Sequence, residues 1–141
     1  MGSRSAIELL LLPVRHQEIR LGRPVDVLLD AAAWRVIGFV VLCGDESQRF
    51  LVYATADPRE DEIAVPSALL LLDDVDFYRG RSRSLRALLG GTVANAQQDL
   101  GVLRDLLIAP DGTVSALMVE RDGGMHEVEP AGMRTGYVSA A

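Results

Sequence analysis

Lysine is absent from this 141-residue chain, and cysteine, tryptophan and histidine are scarce, with one Cys, one Trp and two His. Each scarcity closes off a class of chemistry. The lone Cys43 forbids an internal disulfide and any zinc site built on paired cysteines, and it fits a reducing, cytoplasmic setting. His16 and His126 have no triad partners at a recognisable spacing, and no Ser or Cys stands in a nucleophile elbow. The Leu-Gly-Gly at residues 89–91 lacks the rest of a phosphate-binding loop. No apolar run approaches the ~18 residues of a membrane-spanning helix. The opening "MGSRSAIELLLLPV" is interrupted by Glu8, is shorter than the apolar core of a signal peptide, and has no small-residue cleavage site after it.

Segregated charge is missing as well. The net charge is −6, and residues 1–70 and 71–141 carry seven Arg and ten acids each, so neither half is a basic arm or an acidic tail. Affinity for nucleic acid rests mainly on neutralising phosphates, so this balance disfavours general polyanion binding. Using Arg alone for positive charge would suit phosphate recognition. It fits more simply the codon bias of a GC-rich genome, as do the abundant Ala, Leu and Val.

Apolar residues are plentiful. They make up 49% of the chain by a count that omits the 13 Gly, which puts it above the ~45–50% usual when Gly is included. A chain of this length buries a sizeable core, and a surplus of apolar side chains predicts surface covered by another chain.

The sequence also repeats itself. In "IRLGRPVDVLLD" (19–30), Leu21, Gly22 and Val25 match Leu89, Gly90 and Val93 of "RALLGGTVANAQ" (86–97). Gly38 in "RVIGFVVL" (35–42) matches Gly101 in "QDLGVLRDLLI" (98–108). "FLVYAT" (50–55) matches "ALMVER" (116–121), and Pro66 matches Pro130. Four anchors in one order predict a duplication.

Turn chemistry divides the copies into strands. Ala109-Pro110-Asp111-Gly112 and Asp122-Gly123-Gly124 are hairpin turns, since Pro presets φ, Asp bonds its own backbone and Gly accepts positive φ. Residues 100–108 could be a leucine-rich helix, but Gly101 would fall in its first turn and its length would be marginal. Its counterpart "VIGFVVL" is β-branched and aromatic, so both are read as strands. Helix is expected only at 82–89, after a Ser cap, and briefly at 66–73.

Residues 87–132, with an opening Leu-Gly-x-x-Val, a Leu-Gly before a strand, an Asp-Gly hairpin and a closing strand that runs into Pro130, resemble the PRC-barrel domain. Residues 21–72 resemble a diverged member with longer loops. The resemblance implies a mainly β fold with little helix, in which two PRC-barrel-like repeats of short antiparallel strands form small bent barrels. It divides the chain into an N-terminal segment (1–18), a first repeat (19–77), a basic linker (78–86), a second repeat (87–133) and a tail (134–141). Such domains occur in the cytoplasmic part of the photosynthetic reaction-centre H subunit, in a ribosome-maturation factor and in stand-alone bacterial and archaeal proteins, where they serve docking and assembly.

Other clusters read as surface. Glu127 and Glu129 share a strand face with His126 opposite, and Asp73, Asp74 and Asp76 follow a Leu run. Neither group converges enough oxygens to predict a metal. The expectation is a cytoplasmic, self-associating bacterial protein of the homodimer type, with no catalytic, cofactor or metal residues. It would bind a protein partner through candidate contacts at Trp34, Arg79, Arg81 and Arg83. Association with RNA or the ribosome through Arg79, Arg81, Arg83 and Arg86 is the alternative; other nucleic-acid binding and membrane insertion are not expected.

Overall fold

The computed structural model describes residues 2–95 and 97–130, and the backbone of 137–138. The repeat's last residues, 131–133, and most of the tail lie outside this range. The first half runs through β1 (Arg4–Ser5), α1 (Ala6–Leu9), β2 (Val14–His16), β3 (Ile19–Asp30), β4 (Arg35–Cys43), β5 (Gln48–Val52), β6 (Asp57–Pro58), β7 (Ile63–Ala64), β8 (Leu71–Leu72) and α2 (Val75–Arg79). The second runs through β9 (Arg83–Ser84), α3 (Leu85–Leu88), β10 (Thr92–Ala94), β11 (Asp99–Ile108), β12 (Val114–Arg121), β13 (Gly124–Val128) and β14 (Tyr137–Val138). The fold is mainly β, with 52% strand, in a curled antiparallel half-barrel sheet and a mixed open sheet.

The half-barrel has the order β13-β12-β11-β10-β14, and the open sheet has the order β6-β7-β2-β3-β4-β5-β8. Both disputed segments are strands: Val36–Leu42 falls in β4 and Leu100–Ile108 in β11. The two turns read from Pro110-Asp111-Gly112 and Asp122-Gly123-Gly124 join β11 to β12 and β12 to β13. Helix 66–73 is corrected. Ser67 caps a single 3-10 turn at Ala68–Leu70, and the chain then becomes β8, because Leu71 and Leu72 pair with Leu51 and Phe50. The helix comes later, as α2, which buries Val75.

Each half lends its first strand to the other sheet. Arg4 and Ser5 pair with Ile108 and Leu107 of β11, while Arg83 and Ser84 pair with Leu29 and Leu28 of β3. The exchange is clasped by side chains. Ser84 Oγ donates to the Asp26 carboxylate, which also accepts from Arg86 N at 3.1 Å and Val27 N at 2.8 Å. Ser5 Oγ donates to Asp105, which accepts from Ile7 N at 3.0 Å and Leu106 N at 2.7 Å. Each Ser also caps its helix, accepting from Glu8 N and Ala87 N.

These matched bonds set the internal correspondence: Ser5 with Ser84, Asp26 with Asp105, and Gly22 with Gly101. The sequence register, which set Gly22 against Gly90, Gly38 against Gly101, residues 50–55 against 116–121 and Pro66 against Pro130, is therefore corrected. A Cβ on Gly101 would lie 2.6 Å from the Glu120 carbonyl oxygen, and its φ of +135° suits Gly alone. Gly38 lies in β4 against the Leu51 carbonyl and the Phe50 ring. Two glycines excluded by different neighbours gave a false match. Residues 83–86, read as the end of the linker, are β9 and the first turn of α3, a helix that falls within the 82–89 expected from the Ser cap.

The halves meet at their hairpin turns. Val36 N donates to Gly112 O and Val114 N to Trp34 O, each at 2.8 Å, flanking an Arg35–Thr113 bridge. One core runs through both sheets, including Leu9, Val27, Phe39 and Leu51 from the first half and Leu85, Leu103, Leu106 and Leu117 from the second. A small second cluster of Leu28, Val40, Phe50 and Val75 lies between the open sheet and α2.

Candidate docking surfaces

Trp34 follows the Asp30 turn, whose carboxylate accepts from Ala32 N and Ala33 N. The chain enters the left-handed region there, at φ +50°. Its half-buried ring packs on the core, so it belongs to the seam between halves as much as to the surface. Nearby, Tyr53 Oη donates to Ala109 O at 3.4 Å, and burial pushes the phenol pKa up.

The arginines lie on different elements. Arg79 ends α2 and donates to Gln48 Oε1 at 2.8 Å. Arg81 stacks 3.8 Å over Phe77 and donates to its carbonyl. Arg83 is an exposed residue of β9. Arg86 reaches back to the Val25 carbonyl, so part of its charge is committed to holding the halves together. None of the four forms an ion pair among the described residues, whereas Arg15, Arg49, Arg59 and Arg104 do.

A cleft of about 690 Å³ opens between His16, Thr55, Arg59, Glu62 and Pro66. His16 Nδ1 lies 3.0 Å from the Val65 carbonyl, an acceptor, so Nδ1 carries the proton. Arg59 lies 3.0 Å from Asp57 and 3.9 Å from Glu62; the Asp57 hydrogen bond raises its pKa and commits its charge within the cleft. Among the described residues, the lining's one Arg is committed in this way to carboxylates.

The acidic groups stay apart. Asp73 pairs with Arg49 at 3.4 Å, and Glu127 lies in exposed β13. Among the described residues no three His, Cys, Asp or Glu side chains are grouped to hold a metal. Burial raises the pKa of the Cys43 thiol, which disfavours the thiolate form a nucleophile needs. No helix among the described residues is long and apolar enough to cross a membrane.

The residues missed from the sequence are Ser5, Ser84, Asp26 and Asp105. Their signal was present: "RS" at 4–5 and 83–84 recurs at the same separation as the Leu-Gly-x-x-x-Asp of 21–26 and 100–105. No family model matches the chain, and no curated protein matches it.

Proposed function

We propose that the chain is a cytoplasmic, non-catalytic docking module of PRC-barrel-like design, in which two repeats share one core and present their outer surfaces to a protein partner. One observation carries this reading. Leu11, Ile19, Leu69, Phe77 and Met125 remain half or more exposed, Leu69 at 87%, and supply apolar contacts for a partner to cover. The clasps make the two halves one body, so these side chains are held on a firm scaffold. Self-association belongs to the same proposal. Cross-linking in cells of the source, followed by mass spectrometry, is expected to recover a defined partner. A strictly monomeric protein that captures none would overturn the reading.

RNA association is the second reading, favoured by four arginines without ion pairs among the described residues and by the Arg81–Phe77 stack. It requires binding that weakens steeply with salt and fails when Arg79, Arg81 and Arg83 become Ala.

A further inference from the structure

The internal correspondence reveals a difference between the two halves. Asp26 pairs with Val40 and Asp105 with Met118, so Val40 and Met118 are equivalent. Val40 pairs with Phe50 and Phe39 with Leu51; Met118 pairs with Glu127 and Leu117 with Val128. Phe50 therefore corresponds to Glu127, Leu51 to Val128, and β5 to β13. The outer edge of β5 is filled by β8, with Leu72 opposite Phe50 and Leu71 opposite Leu51. The outer edge of β13 pairs with no strand among the described residues.

We propose that this edge of β13 accepts an extended segment of a partner protein, added antiparallel as β8 is added to β5, with an apolar residue opposite Val128 and an Arg or Lys opposite Glu127. The proposal rests on the docking reading and gives it a location and a partner chemistry. The strand is prepared for pairing. Its register with β12 is unbroken from Leu117–Val128 to Arg121–Gly124, and it contains no Pro or bulge, two common guards of an open edge; its one charge is Glu127. Met125, 51% exposed, and His126 and Glu127 face solvent.

The filled edge specifies the occupant. Leu71 beside Leu51 is buried in the main core. Val128 already packs against that core, so an apolar neighbour would extend it in the same way. On the outer face Phe50 stacks on Tyr78 with centroids 4.0 Å apart, an apolar site that receives Leu72. Glu127 replaces that aromatic, so the matching residue becomes a cation. A second copy fits poorly, because each copy carries a net charge of −6 and would bring its own Glu127 to the join.

The test uses the full 15N-labelled chain and a synthetic peptide of residues 66–73 carrying Leu69→Lys for solubility and Leu72→Arg for the cation. Amide shifts are expected at Met125–Val128. Affinity should fall at least tenfold in Glu127→Arg protein, and a peptide with Leu72→Glu should recover binding to that variant. Absent binding at millimolar peptide, shifts centred on β5, equal affinity for both proteins, or a β13-mediated dimer of the chain alone would each overturn the proposal. Partner capture from cells that is equal for wild type and Glu127→Arg would overturn it while leaving the docking reading intact. Failure of the wild-type chain to capture any partner, with peptide binding preserved, would count against the docking reading alone.

Discussion

Ser84 donates to the Asp26 carboxylate across 58 positions of sequence, and Ser5 repeats the contact with Asp105 across 100. Asp26 is only 8% exposed, and its partners are one hydroxyl and two backbone amides. Hydrogen bonds to a charged acceptor contribute about 1.5–3 kcal/mol each, and removing the acceptor strands its donors. Asp26→Ala is expected to cost roughly 2–4 kcal/mol in urea unfolding. Asp105, more exposed, should cost less when replaced. A double-mutant cycle between Ser84→Ala and Asp26→Ala should return a coupling above about 0.5 kcal/mol; strict additivity would mean the clasp is not energetically real.

The exchange of first strands predicts that the halves do not fold apart. Residues 1–80 would lose the Ser84 clasp and the Leu85 and Leu88 side chains that share its core, while 81–141 would lose β1 and α1. Each fragment alone is expected to lack a cooperative thermal transition by circular dichroism. Mixing them should restore one. A sharp transition in either isolated fragment would contradict the shared core.

Local chemistry was readable where it acts within a few residues. The turns at Pro110-Asp111-Gly112 and Asp122-Gly123-Gly124, and the strand character of "VIGFVVL", are set by backbone preference and side-chain branching. The register of the duplication was not found, because Gly38 and Gly101 look alike in sequence while being required by different carbonyls. The clasps were hidden for another reason. A Ser before a short apolar run signals a cap, but nothing local says that its hydroxyl also donates to an Asp in the other half. The edge of β13, which pairs with no strand among the described residues, is identified only through β5, whose equivalent edge is filled by β8.

Gly101 offers a test of the close approach between β11 and β12. At φ +135° an L residue is strained, and the Glu120 carbonyl leaves no room for a methyl group. Gly101→Ala is expected to destabilise the chain by about 1–3 kcal/mol, measured by chemical unfolding. Gly123, also at positive φ but with no atom near its Cβ position, isolates the conformational part of the cost, so Gly123→Ala should be the milder change.

The turn at the seam predicts a pH dependence. Asp111 Oδ1 accepts from Thr113 N at 2.9 Å, and this bond, with smaller help from Arg35, holds its pKa below the ordinary 3.8. A carboxylate depressed in the folded state stabilises above its unfolded pKa, and that contribution disappears as pH falls through the folded value. Stability from this group is therefore full at neutral pH and is lost below about 4. Carboxyl-carbon NMR should show Asp111 titrating below 3.8. Asp111→Asn should be less stable than wild type at pH 6, with the gap narrowing at pH 3 as the wild-type carboxylate protonates. A titration at or above 3.8 would mean that the Thr113 bond does not hold the turn in solution, and the meeting of the two hairpins around Arg35 and Thr113 would then need another support.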